Sequence, residues 1–387
     1  MNVLYISHCA PDVPDKGEKI RVHHFLKRLA ARHTVHLACL CRHLEETKRT
    51  RELAGGLASV FAQVLKPKPA LARAAIRYGL GGSLTVEYFR GAAMKRYLDT
   101  APWRGEVDVT LVYSAAMTGY ADPSKPMVLD LCDLDSEKWF EYDRLRRLPF
   151  AYAIEGRRLR SVEQIACARA HSTIVMTGNE ASLVRSAIPG ARVEVIANGV
   201  DYDYWRPVAA SSGKPSIVFI GQLDYFPNAD GIEWFAREIF PYLRYAVPEM
   251  EFVIAGRNPD AQVSRLGSIA GIRVLENPAD VRPILASATA VAVPLRLARG
   301  LQNKVIEALA MGKTVLTTPQ VSKTFGESLP DGIAVCEGRD DWLAAFQAAS
   351  PTPRPEIRDS LRKTYDWDAA ADRLCALVEG AKAAANL

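Results

Sequence analysis

The sequence predicts two doubly wound α/β domains in tandem, and three observations carry that expectation. Short β-type runs alternate with helical patterns through the first half, the grammar of βαβ units and of a parallel sheet. The alternation pauses at 197–215, where Asn198-Gly199, two prolines and Ser211-Ser212-Gly213 supply turn and linker chemistry, and then starts again. The length, 387 residues with 49% apolar positions, provides for about two to three domains at roughly 150 residues each. A single small module and a disordered chain are excluded, since 24% charged and 8% aromatic residues are ordinary globular values.

Along the first domain the strand candidates are 2–7, 34–41, 59–65, 108–113, 127–131, 172–176 and 192–196, with helices between most of them. The first helix, 20–32, carries apolar residues at helical spacing, whereas 70–100 is mostly helical with no boundary fixed by the residues. The second series places strands at 216–220, 251–255, 272–275, 289–293, 314–317 and 333–335. Domains are therefore expected at 1–205 and 206–366, and a helix at 368–384, within a terminal segment 367–387, has no strand after it. Ligands of open sheets bind beyond the carboxyl ends of the strands, so a cleft between two facing sheets is expected.

Lys and Arg number 49 against 44 Asp and Glu, too small an excess for the dense basic stripe of a nucleic-acid binder, and no such partner is expected. Seven cysteines, at 9, 39, 41, 132, 167, 336 and 375, form no CxxC pair. That spacing excludes a zinc ribbon and a thioredoxin motif and fits reduced thiols in the cytoplasm. The start, Met1-Asn2-Val3-Leu4-Tyr5-Ile6-Ser7-His8, has no basic lead and turns polar too soon for a signal peptide, and no apolar run reaches 18 residues. The seven histidines show no HExxH spacing, and no GxSxG elbow occurs.

The sharpest local signal is Gly300-Leu301-Gln302-Asn303-Lys304-Val305-Ile306-Glu307-Ala308-Leu309-Ala310-Met311-Gly312, between two strand candidates. Gly300, Leu301, Gln302 and Asn303 would place amides at a helix N-terminus, where unpaired N–H groups and the dipole favour an anion such as a diphosphate. Lys304 adds a cation. Glu307, three residues on along the same face, offers a carboxylate that can accept two hydrogen bonds from vicinal ribose hydroxyls. A surface Lys–Glu pair is the alternative. In the first domain, Pro14-Asp15-Lys16-Gly17 precedes the first helix, and Gly17 lets backbone approach a ligand. That loop is neither GxGxxG nor GxxxxGK[ST], which excludes an NAD Rossmann site and a P-loop kinase.

Four segments in order complete a pattern: the loop at Gly17; Val195-Ile196-Ala197-Asn198-Gly199-Val200-Asp201; Ile217-Val218-Phe219-Ile220-Gly221 with Asn228 and Gly231; and Glu307-Ala308-Leu309-Ala310-Met311-Gly312. On these the chain resembles the retaining, nucleotide-sugar-dependent glycosyltransferases of the GT-B architecture, family 4 (group 1). Val128-Leu129-Asp130-Leu131-Cys132-Asp133-Leu134-Asp135-Ser136-Glu137-Lys138-Trp139 and Ala298-Arg299-Gly300-Leu301-Gln302-Asn303-Lys304 resemble the subgroup associated with bacterial exosortase (PEP-CTERM) systems and exopolysaccharide loci. The resemblance implies an α/β GT-B fold, an acceptor-binding first domain, a donor-binding second domain and a last helix returning to the first. It further implies that Glu307 holds the donor ribose, that amides at 300–303 hold the diphosphate, and that Gly17 faces the phosphates. Backbone groups at 274–276, by Glu276, would read the nucleobase. Hexosyl transfer with retention, and no metal or cofactor beyond the nucleoside-diphosphate sugar, complete the expectation.

Three departures from that family's pattern, at four positions, matter. A glutamate common eight residues before the ribose-binding one is Arg299 here. The Arg and Lys that flank the first loop of the second domain are Gln222 and Asn228, so Lys304, Arg299 or Arg257 must supply the compensating cation. The histidine after the fifth strand is replaced by Asp133, which makes Asp133, Lys304 and Arg299 the catalytic candidates. Asp133 has a plainer alternative as a helix-start residue beside Asp135. Asp133-Leu134-Asp135 also spells the DxD that binds metal in another transferase fold, but the second complete α/β domain argues for metal-free chemistry.

Across 144–169, Arg144, Arg146, Arg147, Arg157, Arg158, Arg160 and Arg169 lie among Leu145, Leu148, Phe150, Tyr152 and Leu159. Two readings stand: a solvated basic face, or peripheral contact with anionic lipid at the inner face of the cytoplasmic membrane, extended by Lys66, Lys68, Arg73 and Arg77. The function expected is transfer of a sugar from a nucleoside-diphosphate sugar to a glycan or lipid-linked acceptor in exopolysaccharide or cell-surface glycan synthesis. Its rivals are a sugar-nucleotide epimerase of the same architecture and a non-catalytic nucleotide-sugar-binding scaffold.

Overall fold

A computed structural model describes residues 1–14, 17–145, 149–209, 213–326 and 328–385. Asp15, Lys16, Arg146, Arg147, Leu148, Ser211 and Ser212, singled out above, lie outside the described residues. All thirteen expected strands form, with ends displaced by at most two residues. Strands β1 (Asn2–Ser7), β2 (Thr34–Cys41), β3 (Ser59–Val64), β4 (Val109–Tyr113), β5 (Met127–Cys132), β6 (Ser172–Val175) and β7 (Val193–Val195) make one parallel sheet in the order β3-β2-β1-β4-β5-β6-β7. Strands β8 (Ser216–Gln222), β9 (Glu251–Arg257), β10 (Ile272–Glu276), β11 (Ala290–Val293), β12 (Val315–Thr317) and β13 (Ile333–Val335) make another, β10-β9-β8-β11-β12-β13. Each order reverses beside its first strand, the switch point at which doubly wound sheets place their ligands.

The strands read as nearly unbroken apolar runs because helices cover both faces of each sheet. In the first unit Val3, Tyr5, Leu37 and Leu111 pack with Val22, Phe25 and Leu29 of the Gly17–Ala30 helix, while Leu4, Ile6, Leu40 and Val112 pack on the opposite face with Met94, Leu98 and Met117. The stretch with no fixed boundary resolves into three helices, Pro67–Gly79, Leu84–Phe89 and Ala92–Thr100. Local chemistry sets their starts: Pro67 stands at a first helical position, and the Ser83 hydroxyl caps the second helix by accepting the Val86 amide.

The chain forms two compact units, one of 1–176, 180–197 and 367–387 and the other of 177–179 and 198–366. The terminal helix, Trp367–Ala385, lies in the first unit: Trp367 stacks on His24 at 4.4 Å and meets Phe25 edge-on, and Asp368 pairs with Arg28. The changeover at 197/198 precedes the expected boundary at 205/206 for a physical reason. The Val200 amide donates to the Tyr365 carbonyl, and the Arg358 guanidinium donates to the carbonyls of Tyr202 and Trp205, so 198–205 is held by the second unit. All seven cysteines are buried with free thiols. No helix among the described residues is long and apolar enough to cross a membrane.

Candidate functional site

In the second unit the site grows from the carboxyl end of β8. Asn228, in the first turn of the Phe226–Trp234 helix and buried, donates its amide to the Gln222 carbonyl at 2.7 Å. Its other atom, Oδ1, accepts the Lys304 ammonium at 2.5 Å, and the same ammonium stands 4.9 Å from the centre of the buried Phe219 ring. Gly231 matters here because a Cβ would lie 2.6 Å from the Pro294 carbonyl oxygen; only glycine lets this helix approach the segment that leaves β11.

That segment leads into the Asn303–Ala310 helix. It begins two to three residues later than the expectation for Gly300 and Leu301, which lie in the preceding loop, Gly300 at φ 58° and Leu301 buried. Gln302 is the N-cap, but its side chain folds back onto the Arg299 carbonyl at 2.8 Å and makes no bond to the first-turn amides. The Val305 amide already donates to the Gln302 carbonyl at 2.9 Å, so the amides an anion can use are those that precede it. The Asn303 side chain accepts the Asn198 amide at 3.1 Å, which fastens the buried Asn198-Gly199 turn to the start of the helix.

Lys304 and Glu307 are only partly exposed, and burial dominates both titrations. It lowers the lysine to about 7 and raises the glutamic acid to about 7, each partly offset by the other's charge. A group so poised changes charge readily when an anion or a donor hydroxyl arrives. Tyr204, with the Arg282 guanidinium 4.1 Å from its ring centre, titrates above its usual range through burial first and then the charge of Asp280, with Glu307 and Arg257 also acting on it. Sequence reasoning missed Tyr204, Phe219 and the Asn228 clamp; the adjacent Asn198-Gly199 turn and the opening strand were its only signals.

Arg257 and Glu276 end β9 and β10 on the same sheet edge, in register with Gln222 and Gly256 respectively. The Arg257 carbonyl accepts the Leu223 amide, and the Glu276 carboxylate accepts the Ser264 hydroxyl at 2.8 Å. Asp133 and Gly17 belong to the first unit. Asp133 follows Cys132, a non-glycine residue at φ 63°, and its carboxylate stands 3.9 Å from the Lys138 ammonium, which also pairs with Asp135 at 2.8 Å at the start of the Asp135–Leu145 helix. Among the described residues no group of three His, Cys, Asp or Glu is placed to hold a metal ion.

The basic stretch is corrected in part. Arg158 donates to the Tyr78 and Gly82 carbonyls, Arg160 to Ser136 and Glu137, and Arg169 to the Asp122 carbonyl, so these three brace the protein instead of forming a solvated or lipid-facing row. Exposed apolar and basic groups gather instead on the Pro67–Gly79 helix and its flanks, where Leu71, Ile76 and Leu80 stand in solvent with Lys66, Lys68 and Arg77.

Residues 214–349 match the family model described as "Glycosyl transferases group 1". A curated relative from Arabidopsis thaliana, one of the subunits of phosphatidylinositol N-acetylglucosaminyltransferase, is 26% identical over 237 residues, 56% of this chain and 48% of the relative. The chain thus spans about half the length of the curated relative it matches. Among solved structures, sucrose-phosphate synthase from Thermosynechococcus elongatus superposes with a TM-score of 0.70 at 16% identity, covering 99% of both chains. HepE from Anabaena in complex with UDP gives 0.63 at 13% identity, over 98% of this chain and 100% of that one. The two Rossmann-like sheets make a GT-B fold, and within the second unit residues 214–349 are similar to the group 1 glycosyltransferases.

Proposed function

We propose that the protein is a retaining, metal-independent glycosyltransferase that moves a sugar, as a hexosyl unit, from a nucleoside-diphosphate sugar to a glycan or lipid-linked acceptor. The observation that carries this is the Lys304–Glu307 helix, with its first-turn amides free of a side-chain cap and its lysine braced by Asn228. Lys304 takes the role of the cation missing at Gln222 and Asn228, and Glu307 accepts the ribose hydroxyls. Positive charge and helix-end amides then stabilise the diphosphate as the anomeric bond breaks, the largest kind of catalytic contribution for a departing anion. Arg299, Arg257 and Glu276 line the rest of the donor site, while Gly17 and Asp133 serve from the first unit. UDP sugars are the first donors to test, because HepE was solved with UDP and with UDP-glucose.

The setting we propose is bacterial exopolysaccharide or cell-surface glycan synthesis, of the exosortase-associated kind, at the inner face of the cytoplasmic membrane. The lipid contact rests on Leu71, Ile76 and Leu80 with Lys66, Lys68 and Arg77, since apolar insertion and basic attraction act together at anionic bilayers. The experiment is a panel of nucleotide sugars assayed for binding, for hydrolysis and for transfer in the presence of a chelator, with the product anomer read by NMR. Inversion, loss of activity with chelator, or interconversion of the donor with no acceptor consumed would each remove part of the proposal.

A further inference from the structure

Resting on the transferase reading, in which Asp133 serves from the first unit, we infer that Glu163 and Glu180 are positioning residues: buried carboxylates from two helices that hold the loop after β5 and thereby fix where the Asp133 carboxylate stands.

The loop departs from regular backbone where it begins. Pairing of β5 with β6 shifts register between Asp130 and Cys132, and Cys132 takes φ 63°, a conformation that costs a residue with a Cβ and persists only where the surroundings hold it. On the N-terminal side of Asp133, Asp130 accepts the Arg21 guanidinium at 2.7 Å. On its C-terminal side, the Leu134 amide donates to the Glu180 carboxylate at 3.1 Å, the Ser136 amide donates to the Glu163 carboxylate at 3.1 Å, and the Ser136 hydroxyl donates to the other Glu163 oxygen. Asp130, Leu134 and Ser136 are fully buried, while the Asp133 side chain between them stays partly exposed.

Two features separate this arrangement from ordinary helix capping. Amides at the start of the Asp135–Leu145 helix could be satisfied at little cost by a nearby Ser or Asp side chain, whereas Glu163 and Glu180, 0% and 4% exposed, must be taken out of water. The two carboxylates also come from separate helices, Pro149–Arg169 and Gly178–Ala187, so the packing of the unit sets the loop where its own sequence does not. Arg160 joins the same network, donating to the Ser136 hydroxyl oxygen at 2.8 Å and standing 3.6 Å from the Glu163 carboxylate. Earlier on the Pro149–Arg169 helix, Glu155 accepts the Ser83 hydroxyl at 2.7 Å and the Leu84 and Thr85 amides at 2.7 and 3.0 Å. It does the same chemistry at a helix start far along the chain from Asp133, and so supplies a matched control.

The test is a double-mutant cycle on the full chain, read as steady-state release of nucleoside diphosphate from the nucleotide-sugar panel. Burial pushes the Glu163 carboxyl up to about 7, against the Ser136 hydrogen bonds and the Arg160 charge and with the Asp135 charge adding to the rise, so the cycle is run at pH 8, where the carboxylate is ionised. Glu163→Ala and Glu180→Ala are each expected to lower kcat about tenfold and to leave the donor KM within about twofold, while Glu163→Gln and Glu180→Gln, which keep one acceptor oxygen, restore most of kcat. In an Asp133→Ala background the same alanine changes are expected to cost less than about twofold, whereas any loss from Glu155→Ala should add in full. Near-ultraviolet circular dichroism identifies the folded variants; if one alanine variant does not fold, the other carries the cycle, and the glutamine variants carry it if neither does. Unchanged kcat in the folded variants, a loss that adds in full to that of Asp133→Ala, or a loss confined to the donor KM overturns the positioning role alone. Release by the wild type that Asp133→Ala leaves untouched removes Asp133 from the mechanism, and no release from any donor overturns the transferase reading itself.

Discussion

At the carboxyl end of β8, the Lys304 ammonium leans on one amide oxygen and an aromatic face; near the carboxyl end of β1, Lys19 lies between two carboxylates. The two strands occupy equivalent places in sheets of the same order. Burial acts on both lysines and its outcome differs. Lys304 falls to about 7, whereas burial of Lys19 is outweighed by hydrogen bonds to Asp12 and Glu46, which carry it above its usual range. One topology thus offers one place where a partly exposed lysine leans on an amide oxygen and an aromatic face, and another where a buried lysine is answered by two carboxylates. The first suits an anion such as a diphosphate.

The largest change expected comes from removing the cation. Lys304→Ala should weaken nucleoside-diphosphate binding by about 2–3 kcal/mol, roughly thirty- to over a hundredfold, by calorimetry. An unchanged affinity would show that Lys304 is a structural partner of Asn228. Glu307→Gln should cost about tenfold and remove the preference for a ribonucleoside diphosphate over its 2′-deoxy counterpart; a preference that survives puts the ribose elsewhere. Asn228→Ala, which frees the ammonium while leaving its charge, should cost about 1 kcal/mol in nucleotide affinity, close to fivefold.

Proton linkage sharpens the same contrast. Above pH 7 Lys304 of the empty site is largely neutral, and an arriving diphosphate raises its pKa, so binding takes up a proton. Below pH 7 Glu307 is largely protonated, and hydroxyls donating to its carboxylate lower its pKa, so binding releases one. Calorimetry in buffers of different ionisation enthalpy should give uptake at pH 8 and release near pH 6, and Lys304→Ala should lose the uptake arm. The smallest effect belongs to the first unit. Glu18→Ala leaves Arg42 without its carboxylate and should create weak, millimolar phosphate binding, detectable by phosphorus NMR, that the wild type lacks.

The strands were legible in the sequence because parallel strands covered on both faces must be apolar throughout, as Val3-Leu4-Tyr5-Ile6 and Val291-Ala292-Val293 are. The Lys304–Glu307 helix was legible because its glycine, cation and carboxylate fall within eight residues. What the sequence hid depended on distant partners. Asn228 looks like a lost cation until it is seen to hold Lys304, 76 residues away. Arg158, Arg160 and Arg169 look like part of a basic face until their carbonyl, hydroxyl and carboxylate partners appear, and a cavity at the carboxyl ends of β1, β2 and β3 is assembled from four separate segments.

A crystal structure of the protein with a bound nucleoside diphosphate decides whether the Lys304–Glu307 helix holds the donor. The diphosphate is expected at the start of the Asn303–Ala310 helix, within hydrogen-bonding distance of the Lys304 ammonium, with both ribose hydroxyls on the Glu307 carboxylate. A nucleotide bound elsewhere, with Lys304 still seated on Asn228 and Glu307 untouched, would contradict it.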